Sequence, residues 1–296
     1  MQINTIFPSM SQAQMSIWIE QLMLSLLNSP AISEHDAALL HQPLTWCLAQ
    51  YNPTHSYSPL LQQFWQACVQ IGWLGQSVLP QLSVAGIQQF GCYVHQQTNR
   101  QWLARKASDR LYETKQRQQH LQQYVMSVLT HYARVLLIRV DLGYFGGSAN
   151  PVSIDQVYTH LNTLLFKKSA GEGVFANLKG YAWCLEQGAD KGYHIHLACF
   201  YAGYQHQQDW FIANEIGLMW KQIVGEGGIF YNCNTTDVKA RYARLGLLGI
   251  GMIHRDDPVA VQNAVQAVSY LAEPNKPDQH LRIRPKKSRT FATGQF

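Results

Sequence analysis

The residues with the most chemistry in them lie in Gly192-Tyr193-His194-Ile195-His196-Leu197-Ala198-Cys199-Phe200-Tyr201. Aromatic, apolar and β-branched residues fill this stretch, so it reads as a strand. Side chains alternate across a strand, which sends His194 and His196 to one face and Tyr193, Ile195, Leu197 and Cys199 to the other. Two imidazoles about 7 Å apart on one face can share a divalent metal ion. A bare His-x-His is also what the polar side of a half-buried strand looks like, and short motifs match by chance. The groups around the pair distinguish the two.

Lys179 to Glu186 reads as a second strand, with Gln187 to Lys191 as a turn. The two strands form a β-hairpin by the short-loop rule. Glu186 lies near the hairpin mouth. Whether it shares the face of His194 depends on the register, which an odd loop count or a bulge would set in its favour. Arg134 to Leu142 is a further strand, almost continuously apolar. Its Arg139 and Asp141 fall on one face, and charges in so apolar a strand are costly unless paired or used.

The elements that must position these groups read as follows. Residues 1–123 are mostly helical, with apolar rows at helical spacing in Ser11 to Leu27 and in Pro59 to Trp73. No catalytic constellation stands out there, and the role of the region is open. Arg100 to Arg117 reads as a helix with a basic side, and a separate helix covers Tyr124 to Tyr132. Downstream, helices are expected near 153–168, over Trp210 to Val224, and over a short piece from Thr235 or Thr236 that bears Lys239, Arg241 and Arg244. Gly227 to Cys233 reads as a strand. Asp257 is the N-cap of a last helix, with Pro258 at its first position. Val261, Ala264, Val265, Val268, Leu271 and Ala272 make its apolar stripe, which leaves Tyr270 on a polar row with Asn263, Gln266 and Glu273. A basic tail follows, with Lys276, Arg282, Arg284, Lys286, Lys287 and Arg289; such tails favour nucleic acid.

The chain has 296 residues, 14% charged residues and a net charge of +5. The charge permits an anionic partner without requiring one. Six cysteines show no Cys-x-x-Cys pair or disulfide framework, which fits a reducing compartment. The apolar piece from Ile17 to Leu27 is interrupted by Glu20 and Gln21, so neither a signal peptide nor a membrane span is expected. The expected location is cytoplasmic.

In chain order the set is Arg139-Val140-Asp141-Leu142, Glu186 with His194-Ile195-His196, Tyr270-Leu271-Ala272, and Lys276-Pro277-Asp278-Gln279 followed by Arg289-Thr290-Phe291. This set resembles the HUH endonuclease superfamily, and within it the replication-initiator-like proteins of filamentous phages and prophages. The resemblance covers 124–296. It implies an α+β fold, a central antiparallel sheet flanked by helices, with the N-terminal helical region in addition. It also implies metal-dependent nicking and joining of single-stranded DNA at a replication origin, the first step of rolling-circle replication, alongside host helicase and polymerase.

His194 and His196 would be metal ligands and Mg²⁺ or Mn²⁺ the ion. Two imidazoles hold a hard divalent ion loosely, so a carboxylate should complete the site. Glu186 is the first choice, and Asp141 the second, either as a ligand or as a group orienting a histidine. Tyr270 would be the nucleophile. Family helices read Tyr-x-x-Lys; here Glu273 takes the lysine place, and Lys276, three residues on, is assigned the lysine's role. Lys239, Arg241, Arg244 and the tail cations would contact phosphates, and Tyr144, Phe145, Tyr201 or Tyr204 would stack bases. The rival reading is a prophage DNA-binding regulator that keeps the fold but has lost nicking, which Glu273 favours. A cupin-like barrel is a weaker rival, because the glutamate its motif needs is absent.

Overall fold

A computed structural model describes residues 10–75, 81–272 and 279–295. Helix α1 (Gln12–Asn28) opens with a capping box in which Ser11 and Gln14 each accept the other's backbone N–H. There follow α2 (Glu34–Ala49), β1 (His55–Tyr57), α3 (Pro59–Gln70), α4 (Val84–Gln97) and α5 (Arg100–His131). The two helices expected between Arg100 and Tyr132 are thus one, because the residues joining them are mostly glutamines, good helix formers, with no Gly or Pro. Then come β2 (Arg134–Tyr144), α6 (Ile154–Ser169), β3 (Leu178–Gly188), β4 (Gly192–Ala202), α7 (Asp209–Val224), β5 (Gly228–Asn232), α8 (Thr236–Arg244), β6 (Gly251–His254), α9 (Pro258–Ser269), β7 (Ile283–Pro285) and β8 (Phe291–Thr293). No helix among the described residues is long and apolar enough to cross a membrane.

The chain divides into two compact units. The first comprises Met1–Ser108, Pro151–Ile154 and Leu281–Ser288. Its core holds Met15, Ile19, Met23, Phe64 and Phe90, all fully buried, with Phe64 and Phe90 edge to face at 5.6 Å. Strand β7 pairs antiparallel with β1. Arg282, assigned from the sequence to phosphate contact, is instead buried here: its Nε donates to Glu20 Oε2 at 2.6 Å. The other Glu20 oxygen accepts from Ser58 Oγ. A buried guanidinium needs such a partner, because desolvating it alone would cost several kcal/mol.

The second unit comprises Asp109–Asn150, Asp155–His280 and Arg289–Phe296. It is an α+β structure built on a six-stranded antiparallel sheet of order β5-β2-β4-β3-β8. β2 pairs with β6 through Arg134–Leu137 and with β5 through Val140–Tyr144. β4 is buried along its whole length. Helix α7 covers one face so closely that a Cβ at Gly217 would lie 2.1 Å from the Phe230 ring. The other face carries the main core, where Leu121, Tyr124 and Val128 of α5 and Val265 and Val268 of α9 cover Leu137, Ala182, Ala198 and Phe200. The candidate site occupies the far end of that second face.

Removing the guanidinium of Arg282 strands Glu20 in a buried place. Arg282→Ala is expected to lower stability by about 3–5 kcal/mol in urea denaturation. A loss below ~1 kcal/mol would mean the pair is solvated.

Candidate metal centre

Register decides which side chains meet. β3 and β4 pair Glu186 with His194 and Cys184 with His196, and the hairpin closes at Gly188 opposite Gly192. The loop between them is Ala189, Asp190 and Lys191, an odd count, which is what sends Glu186 to the histidine face. β2 pairs Asp141 with His196. Residues directly across an antiparallel pair project to the same side, so Asp141, Glu186, His194 and His196 share one face.

The hairpin tip is held in place. Gly192 has φ +62, and a Cβ there would lie 2.6 Å from Gly147 O. The Ser148 amide donates to Asp190 O at 2.9 Å. The left-handed backbone and the close approach both require glycine at 192.

Glu186, His194 and His196 are buried and offer one ligand atom each, all within 4.8 Å of one another. Glu186 Oε2 lies 3.5 Å from His194 Nε2 and 3.3 Å from His196 Nε2. Both Nε2 atoms are buried, and among the described residues the Glu186 carboxylate is the polar group each one faces. The opposite nitrogens are engaged: His194 Nδ1 meets Gly192 O at 3.0 Å, and His196 Nδ1 meets Asp141 Oδ1 at 2.6 Å. Each of these acceptors requires its Nδ1 to carry a proton, so in the neutral ring the Nε2 lone pair is directed at Glu186. Two imidazole lone pairs and a carboxylate aimed at one point can hold a metal ion. Asp141 meets His196 through the ring nitrogen that faces away from Glu186, the position of an orienting group.

Charge supports this arrangement. Burial alone would raise the Asp141 carboxyl; the His196 hydrogen bond and charge, with Arg139 and Lys191, outweigh it and hold the pKa below the ordinary value. Burial alone would depress His196, but hydrogen bonds and charge from Asp141 and Glu186 raise its pKa above the ordinary value.

Tyr270 lies one residue past α9, in a short 3₁₀ turn, and is half exposed. The Arg139 guanidinium sits over its ring, 5.2 Å from the centroid. Arg139 Nη2 also approaches Asp141 Oδ1 at 3.8 Å, and Nη1 donates to Ala267 O of α9. An unbroken chain of contacts thus joins Tyr270, Arg139, Asp141, His196 and Glu186. Lys276 and Glu273 lie outside the described residues.

The other expected residues are scattered. Lys239 donates to the Asp209 carboxylate at 2.6 Å and is half-buried. Arg241, Arg244, Arg284, Lys286, Lys287 and Arg289 are exposed. Of the four aromatics assigned to base stacking, Phe145 and Tyr204 are exposed, whereas Tyr144 and Tyr201 are buried in the core, where they cannot meet a base.

Asn234 was not legible as a site residue. Between the stretch of β2 paired with β6 and the stretch paired with β5, its side chain stands in for a strand. Its Oδ1 accepts from Arg139 N and its Nδ2 donates to Leu137 O. It thereby fixes the backbone that presents Arg139 and Asp141. The only sequence signal was the polar end of β5.

Comparison with protein-family models, with curated proteins and with solved structures finds no match to this chain.

Mn²⁺ should raise the melting temperature, and His194→Ala or His196→Ala should abolish the rise. Asp141→Asn should keep binding but weaken it about 10–100-fold, because the histidine loses its orienting carboxylate. The sign with pH follows from the raised His196 pKa. In the metal-free protein, protonated His196 between two carboxylates contributes stability that is complete below the unfolded value of about 6.5 and is lost as pH rises through the folded one. The ion must displace that proton, so the Mn²⁺-induced rise should grow as pH rises above the ordinary histidine value of about 6.5. A rise that shrinks over this range would contradict the assignment.

Proposed function

We propose that this protein is a metal-dependent endonuclease of the HUH type that nicks and rejoins single-stranded DNA through a tyrosine nucleophile. Its role would be to start rolling-circle replication of a phage, prophage or mobile element in the cytoplasm. The observation that carries this reading is the contact chain from the Tyr270 ring to the Glu186, His194 and His196 cluster. A half-exposed phenol and a metal-capable triad at one end of one sheet face are the two parts the chemistry needs.

Mg²⁺ or Mn²⁺, held by Glu186, His194 and His196, would polarise the scissile phosphate and offset the charge that gathers in the transition state. The protein's own groups have separate tasks. Asp141 keeps the His196 proton on Nδ1, so that Nε2 remains a ligand. Arg139 holds the Tyr270 ring and ties it to Asp141. The Tyr270 oxygen, having lost its proton to solvent, forms a bond to phosphorus as the P–O3′ bond breaks. The departing 3′ oxygen takes up a proton, and the 5′ phosphate stays on the tyrosine as a diester. Attack by a 3′-hydroxyl on that diester reverses the step and rejoins a strand. The exposed Arg241, Arg244, Arg284, Lys286, Lys287 and Arg289 are suited to phosphate contacts.

The test is a covalent adduct. Incubating the full chain with single-stranded DNA and Mn²⁺ should give a protein–DNA species that survives denaturing electrophoresis. Tyr270→Phe should remove it, since the phenyl ring keeps the Arg139 contact but has no nucleophile. An adduct that persists in Tyr270→Phe, or none with DNA carrying the element's own origin, overturns the proposal.

A further inference from the structure

β5 runs along an open edge of the sheet beside the outer half of β2. Tyr231 pairs with Asp141 and Ile229 with Gly143. Both therefore lie on the face that carries Glu186, His194 and His196. Phe230, between them, turns to the opposite face and packs against Gly217 of α7. Tyr231 is 52% exposed and Ile229 44%. Phe145, at 72%, follows directly on β2, and its amide donates to Gly227 O just ahead of β5, so it stands at the same corner of the sheet.

Three exposed apolar side chains on the edge beside a polar centre suggest a ligand with a flat apolar part. Tyr231 lies two strand spacings from His196, about 10 Å. The charge points to an anion. Once a divalent ion balances Glu186 and Asp141, Arg139 and Lys191, which both act on Asp141, remain as cations at the centre, against the exposed carboxylates of Asp190 on the β3–β4 loop and Glu226 ahead of β5. A ligand that is anionic along its backbone and presents unstacked flat faces is single-stranded DNA; in a duplex those faces are covered by neighbouring bases.

We propose that Tyr231, flanked by Ile229 and Phe145, is a stacking platform for a base of single-stranded DNA next to the phosphate held at the metal centre. This rests on the nuclease reading for where the phosphate lies. It adds a determinant of DNA affinity on an edge strand that the resemblance does not include.

The experiment is fluorescence anisotropy with a short labelled oligothymidylate and with an oligomer of the same length and charge made of abasic sugars. The full chain, Tyr231→Ala and Tyr231→Phe would each be titrated at one fixed salt concentration with Mn²⁺. Tyr231→Ala should bind oligothymidylate roughly tenfold or more weakly, Tyr231→Phe should bind as the parent does, and all three should bind the abasic oligomer equally. Equal oligothymidylate binding by Tyr231→Ala and the parent overturns the platform, as does an equal loss on both oligomers. An unchanged Mn²⁺-induced melting shift in Tyr231→Ala shows that the centre survives the substitution. The two proposals fail separately. Base-dependent loss without any Tyr270 adduct keeps the platform and removes the nuclease, whereas an adduct without base-dependent loss does the reverse.

Discussion

The register between β3 and β4 is the constraint on which the rest depends. Side chains alternate along a strand, so a slip of one residue would carry Glu186 to the face of Ile195 and leave the two histidines without their carboxylate. The three-residue loop and the contact between Gly192 and Gly147 prevent that slip. The triad is thus a product of turn geometry first and of side-chain chemistry second. Its burial among β-strands makes it rigid, and rigidity is what a metal centre asks of its ligands.

The centre is connected outward through one carboxylate. Asp141 accepts from His196 and lies beside Arg139, and Arg139 touches both the Tyr270 ring and the backbone of α9. Arg139 and Asp141 sit on a stretch of β2 whose hydrogen bonds are completed by the Asn234 side chain. The buried Asp209, which binds both Asn234 and Lys239, supports Asn234 from behind. The apparent cost of charged residues in an apolar strand is met here by pairing each charge with another group, as burial requires.

Much of this was legible in the residues themselves. Alternation placed His194 and His196 together, and the apolar run of β2 with its two interior charges marked Arg139 and Asp141 as unusual. The apolar row of Val261, Ala264, Val265 and Val268 marked the inner side of α9 and left Tyr270 off it, although the α-helix ends at Ser269 and the tyrosine stands in the turn that follows. The rest depended on pairings between distant segments. Glu186 joined the site only through a register that no residue type specifies. Arg282 looked like the other cations of the tail, yet its partner Glu20 lies in the first helix, 262 residues away in sequence. Tyr231 gave no signal because an edge strand and an inner strand look alike in sequence. α5 shows the opposite case: its composition changes near Tyr124, but no Gly or Pro interrupts it and the helix runs on.

The central claim is that three side chains on the β3–β4 hairpin hold one divalent ion beside Tyr270. Anomalous diffraction from crystals soaked in Mn²⁺ tests it most directly. The account predicts one strong peak bonded to a Glu186 carboxylate oxygen and to Nε2 of both His194 and His196, with Asp141 still on Nδ1 of His196. A peak ligated through Asp141 instead, or no peak at the hairpin under conditions where Mn²⁺ binds elsewhere on the chain, would contradict it.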